Sequence, residues 1–183
     1  MELFCRELTD YREFRECLKL QDLVFQLSDL DKIPPMMMAL FARQSPPIGI
    51  CIGAFEHTPD GEERLIGLIV GVSTFIPNTL YCMMLGTLPD YQHHGIGILL
   101  IRRLREAMIQ RNIECLYAVY DPLDAGLGKL YFNLLGVTGI AYEIQSYQTA
   151  ELAGPSAIPV DNLRIEWMIH HPRCVSRFSH QRE

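Results

Sequence analysis

The chain has 183 residues, 49% of them hydrophobic and 21% charged, a balance that favours one globular domain with its own core. A formal charge of -6 and a pI near 5.5 exclude broad binding to nucleic acid or to an anionic membrane, since either needs a cationic face.

Residues 2–8 read as a first strand, and a helix follows from an N-cap at Thr9 or Asp10 to about Leu27, with Phe14, Leu18 and Phe25 on one face. Pro34-Pro35 suits the first turn of a second helix, 34–44, which Pro46-Pro47 ends. Its Met36-Met37-Met38 run is expected in the core, with adaptable apolar contact to a ligand as the alternative. Residues 48–56 alternate as a strand, Asp60-Gly61 marks a hairpin turn, and 65–76 and 79–88 complete an antiparallel meander. Met83, Met84 and Leu85 are apolar in succession, as in a strand covered on both faces. A helix opens near Gly95 or Ile96 and runs to about Asn112, followed by a strand at 114–120 and a helix at 124–135 that Gly136 terminates. Strands at 137–147 and 161–170 close the fold around a small-residue loop, 149–160. The order β-α-α-β-β-β-α-β-α-β-β predicts an α/β fold, one mixed sheet with helices on both faces. Residues 1–171 form the expected domain, and 172–183 carry no pattern and read as a loose tail.

The six cysteines are scattered without a C-x-x-C, which leaves no visible zinc ribbon or redox pair and suits a reducing, cytoplasmic compartment. The N-terminal stretch carries charges throughout, unlike a leader peptide, and the apolar run at 65–76 is too short for a membrane span.

The chemistry concentrates in Gln92-His93-His94-Gly95-Ile96-Gly97, where a strand ends and a helix begins. The first N–H groups of a helix lack internal partners, and the dipole adds about half a positive charge there. Two glycines let an anion approach that backbone, and no lysine is present, so this is not a P-loop. Taken alone the two glycines fit a plain strand-to-helix turn better, and it is their place after three antiparallel strands and before a β-α-β return that favours the anion site. His93 and His94 are either phosphate donors or solvated loop residues.

The strand–P-x-x-Q-x-x-G-x-G–helix pattern resembles the acetyl-CoA-binding signature of the GNAT family of N-acetyltransferases, and the element order resembles that fold over nearly the whole chain. The pieces 121-DPL-123, 132-FNLLG-136 and 161-DNLRIEW-167 are similar to a little-characterised bacterial branch of GNAT acyltransferases. The resemblance implies acetyl-CoA or another acyl-CoA as cofactor. Its pyrophosphate would lie on the backbone of Gln92 to Gly97, and its pantetheine arm along Leu85, Gly86 and Thr87, with strands 79–88 and 114–120 splayed to admit it. It implies a small-molecule amine acceptor, an amino acid among the options, with a peptide or protein amine as the alternative, and a homodimer as a common assembly; the acidic charge argues against a nucleic-acid or membrane partner.

The implied reaction, attack of an amine on a thioester, needs a proton acceptor, an oxyanion donor and a means to release thiolate. The oxyanion donor would be a main-chain N–H near Leu85. Many family members carry a tyrosine four residues before the glycine equivalent to Gly136; here that residue is Phe132, and Tyr131 is turned about 100° away round the helix. Asp121, at the carboxyl end of a strand, is the other polar candidate, with capping of the next turn as its alternative. Asn133 is placed near the cofactor or at a helix-end hydrogen bond. Arg164 and Glu166 share a strand face, as an ion pair or with Arg164 holding an acceptor carboxylate. Because strand 79–88 holds no carboxylate, a non-catalytic acyl-CoA-binding module on the same fold is the rival reading.

Overall fold

The computed structural model describes residues 3–27, 29–144 and 161–179; the loop expected at 149–160 and the final residues, 180–183, lie outside them. Two compact units divide the chain, Met1–Ile113 and Glu114–Glu183.

The first unit holds β1 (Leu3–Glu7), α1 (Tyr11–Phe25), α2 (Pro35–Arg43), β2 (Gly49–His57), β3 (Glu63–Ser73), β4 (Thr79–Thr87), a 3-10 turn (Pro89–Tyr91) and α3 (Ile96–Gln110). Its strands pair antiparallel in the order β1-β2-β3-β4, which includes the expected meander. Gly61 makes the hairpin turn with φ +83°, and its N–H donates to the Thr58 carbonyl at 2.9 Å. Of the two candidate caps, Asp10 starts α1. Its Oδ1 accepts from Arg12 N at 2.9 Å, while Glu13 Oε2 accepts from Thr9 N and Asp10 N, both at 3.0 Å. Such a reciprocal box contributes about 0.5–2 kcal/mol through the cap alone.

Helices cover both faces of this sheet. A side chain at Gly67 would meet Ile96 and Leu100 of α3, and one at Gly86 would meet Val24 and Phe25 of α1. For that reason β2 does not alternate as expected: seven consecutive residues, Gly49 to Phe55, are buried. The core draws Phe14, Cys17 and Leu20 from α1 and Ile96, Leu100, Ile101, Leu104, Ala107 and Met108 from α3. The buried Gln21 amide bonds both backbone groups of Ile33, at 2.7 and 3.1 Å, and so ties α1 to the approach of α2. Only Met38 of the methionine run enters the core; Met36 and Met37 are exposed, since successive residues of a helix point 100° apart.

The second unit holds β5 (Cys115–Tyr120), a short α4 (Ala125–Gly128) that continues as a π-helix (Lys129–Leu135), β6 (Thr138–Glu143), β7 (Asn162–Met168) and α5 (Pro172–Ser179). β7 pairs antiparallel with β5 on one side and β6 on the other. The element order is the one expected, with α5 added.

That addition corrects the reading of 172–183 as a patternless tail. Cys174 and Phe178, one helical turn apart, are buried, and Phe178 lies 6.2 Å from Trp167, ring to ring. Arg173 donates to the carbonyls of Gly136 and Val137 at 2.9 and 2.7 Å. Arg177 donates to those of Phe132 and Asn133 at 2.8 and 2.6 Å. The two guanidinium groups thereby satisfy carbonyls that the end of the preceding helix leaves open. No helix among the described residues is long and apolar enough to cross a membrane.

Candidate functional site

The end of β4 and the start of α3 place the candidate residues. The ladder stops at Leu88, whose N–H donates to Ile66 O at 2.9 Å. Pro89 lacks an N–H and opens the 3-10 turn instead. The chain then passes through two left-handed residues, His93 (φ 63°) and Gly95 (φ 81°), before α3 begins at Ile96. Left-handed residues in a turn can bring successive N–H groups to one side, an arrangement that suits an anion.

Three observations describe this turn. Among the described residues, no backbone or side-chain acceptor meets the N–H groups of His93, His94, Gly95, Ile96 or Gly97. A Cβ placed on Gly95 would have nothing within 4 Å, so the space beside it is open. No acidic residue lies in the first turn of α3, and no side chain caps it. Glycine is an accepted N-cap residue, but unlike Ser, Asp or Asn it brings no side-chain oxygen to satisfy the first N–H groups. Here the donors have no acceptor among the described residues and could bind the several oxygens of a diphosphate. Gln92, His93, His94 and Gly95 are exposed, Ile96 is buried in the core and Gly97 is half-buried.

β4 supplies the adjacent strand. Val70 pairs with Met84 and Gly71 with Cys82, so Met83 is an extra, unmatched residue. A bulge of this kind bends the strand and redirects its backbone groups. Met83 is 45% exposed, as is Tyr81 two residues before it at 36%, which corrects the expectation of cover on both faces. Leu85 and Thr87 are half-buried. Gly86 is required by packing as well, since an added Cβ would sit 2.5 Å from Phe25 Cζ. Cys82 offers no nucleophile or base, because burial pushes its thiol up to about 12.

In the second unit, Asp121 Oδ1 accepts the Leu123 N–H at 2.8 Å, and the Asp121 carbonyl accepts the Asp124 N–H at 2.9 Å. Asp121 therefore shapes the turn that leads into α4, the plainer of its two expected roles. Tyr131 lies on the π-helix, where its carbonyl accepts N–H bonds from both Gly136 and Val137. The wider winding changes the angular relation between Tyr131 and Phe132 that an α-helix would impose. The Tyr131 side chain is 3% exposed and its ring lies 5.2 Å from that of Tyr120. Asn133 is exposed and takes part through its carbonyl, which binds Arg177.

Arg164 does not pair with Glu166, which corrects the ion-pair expectation. It binds Glu143 on the neighbouring strand, while Glu166 accepts from Tyr117 Oη at 2.8 Å. That bond, joined by burial, pushes the Tyr117 phenol up to about 12. Residues two apart on one strand are roughly 6.5 Å apart, whereas cross-strand neighbours stand closer and win the contact.

Tyr91 and Glu56 were not singled out by sequence. The Tyr91 hydroxyl bonds Glu56 Oε2, and Arg64 lies 5.8 Å over the Tyr91 ring. The sequence signal was faint: Tyr91 adjoins Gln92, and Glu56 is the one carboxylate of β2.

A sequence model described as "Acetyltransferase (GNAT) family" matches residues 11–136. No curated protein matches the chain. Among solved structures, the ribosomal-protein-S18-alanine N-acetyltransferase of Escherichia coli is 13% identical with a TM-score of 0.66, the match covering 90% of this chain and 92% of that one. A GNAT-family acetyltransferase of Streptococcus pneumoniae is 15% identical with a TM-score of 0.70, over 90% of this chain and 98% of its own. A Bacillus subtilis acetyltransferase in complex with CoA is 16% identical with a TM-score of 0.64, over 91% and 99%. At such identities the likeness shows the α/β fold alone.

Proposed function

Because the chain belongs to the GNAT acetyltransferase family, we propose that it is an acyl-CoA-dependent N-acyltransferase. It would move an acyl group, acetyl in the first instance, from coenzyme A to the amine of a small molecule. The observation that carries this reading is the row of five N–H groups, His93 to Gly97, without acceptors among the described residues and beside the open face of Gly95. Those groups would hold the coenzyme's diphosphate, with Leu85, Gly86 and Thr87 alongside its pantetheine arm. The coenzyme supplies an activated acyl thioester when bound. The CoA complex of the Bacillus subtilis relative and the motifs around Asp121, Phe132 and Trp167 support the reading and its bacterial branch.

The chain's own groups handle the protons in this scheme. Asp121 and Tyr131 are the assigned candidates, the first half-buried in its turn and the second within the core of its unit. An acceptor carboxylate would exchange with Glu143 at Arg164, so amino acids and their decarboxylated amines test that role directly. All six cysteines are free, which agrees with a cytoplasmic setting; a homodimer is the assembly that goes with this reading.

The test is thiol release from acetyl-CoA in the presence of amino acids, polyamines and short peptides. The expected outcome is steady release that depends on one amine class, together with a raised unfolding midpoint when coenzyme A alone is added. A raised midpoint with no release from any class would instead identify a binding module without chemistry.

A further inference from the structure

We infer that Tyr91 and Glu56 form a positioning tie that holds the N–H row of residues 93–97 in its binding shape; this rests on the coenzyme reading above. The need for a tie follows from the turn itself. His93 and Gly95 both adopt left-handed backbone, and His93 pays for it with a Cβ. No side chain caps α3. The Gln92 amide reaches the Thr87 carbonyl only at 3.5 Å, the outer limit of a hydrogen bond. The turn's own contacts therefore do little to fix it.

The residue just before it is fixed well. Tyr91 closes the 3-10 turn, its N–H donating to Leu88 O at 2.9 Å, and its hydroxyl bonds the Glu56 carboxylate. Glu56 stands in the middle of a three-strand ladder, opposite Leu3 of β1 and Arg64 of β3. Phe55 faces the α1 side, with Arg6 stacked on it at 4.2 Å, so Glu56 faces the α3 side where the turn lies. Arg64 covers the Tyr91 ring from the next strand. The bond to Glu56, followed by burial, raises the phenol above its ordinary value, as expected of a hydroxyl that donates to a carboxylate. A stiff strand 35 positions upstream thus anchors the entry to the turn.

Untying that anchor would leave the amides in place but let them sample shapes in which they no longer converge. Apparent affinity then falls by the fraction of molecules still in the competent shape.

The experiment is calorimetric titration of the full chain with coenzyme A, using wild type, Tyr91→Phe, Glu56→Ala, Glu56→Gln and the double variant Tyr91→Phe/Glu56→Ala. The expected result is a loss of about tenfold in affinity for each of Tyr91→Phe and Glu56→Ala. The double variant should be no weaker than either single one, because both remove the same bond. Glu56→Gln keeps an acceptor oxygen and should stay within about twofold of wild type. Wild-type affinity in Tyr91→Phe, or a Glu56→Gln loss equal to that of Glu56→Ala, would overturn the tie and leave the coenzyme reading standing. Absence of binding by wild type would remove both.

Discussion

Gly95→Asp is expected to weaken coenzyme A binding by at least about 100-fold while moving the unfolding midpoint of the free protein by no more than about 4 °C. The two halves of this expectation have separate causes. Gly95 has φ +81° and an added Cβ would meet nothing within 4 Å, so the fold accepts the side chain sterically. The left-handed backbone costs a non-glycine residue roughly 1–2 kcal/mol, and aspartate is among the residues that adopt it most readily. The carboxylate, however, projects beside the N–H groups of Ile96 and Gly97, where it would itself accept their hydrogen bonds and repel a diphosphate. Gly95→Ala adds the methyl group without the charge and should fall between the two. Titration calorimetry and thermal unfolding of the three proteins separate the effects. Equal affinity in Gly95→Asp and wild type would mean that the turn is architectural.

Trp167→Ala should cost about 3–5 kcal/mol of stability, the largest single loss anticipated in the second unit. Trp167 is 1% exposed, sits on β7 between β5 and β6, and packs its ring 6.2 Å from Phe178 of α5. Removing it empties the space under α5, the helix whose arginines satisfy the last carbonyls before Val137. The Trp167 Nε1–H is buried and meets no acceptor among the described residues. Trp167→Phe should therefore recover most of the loss, since it keeps an aromatic ring against Phe178 and removes a donor that is desolvated without reward. The chain has one tryptophan, so urea unfolding of these variants must be followed by circular dichroism and not by indole fluorescence. A loss under about 1 kcal/mol in Trp167→Ala would show that the ring is not part of a close-packed core.

Much of the first unit was legible because its signals are local. The cap at Thr9 or Asp10, Pro34-Pro35, Asp60-Gly61 and the Gly95 turn each dictate backbone geometry within four residues. The misread features depend on partners distant in sequence. β2 looked half-buried by its pattern but is covered on both faces because α1 and α3 flank the sheet. Residues 172–179 looked patternless because their apolar stripe is only Cys174 and Phe178. Arg173 and Arg177 beside it looked like solvated charges, although they cap a helix some 40 positions earlier in the chain. The π-winding over Lys129–Leu135 leaves no mark on composition, since it arises from which carbonyl accepts each N–H. At the candidate site the glycines and the strand-to-helix turn were readable. The Tyr91–Glu56 bond was not, because β-hairpin register brings together residues that have no spacing rule in common.

The most direct test follows the backbone N–H resonances of residues 93–97 by heteronuclear NMR while coenzyme A is added, with inorganic pyrophosphate as a second titrant. Amides that donate to a diphosphate should move downfield and saturate together, and His93 through Gly97 should show the largest changes with both titrants. Saturating coenzyme A that leaves those five resonances in place would contradict the account.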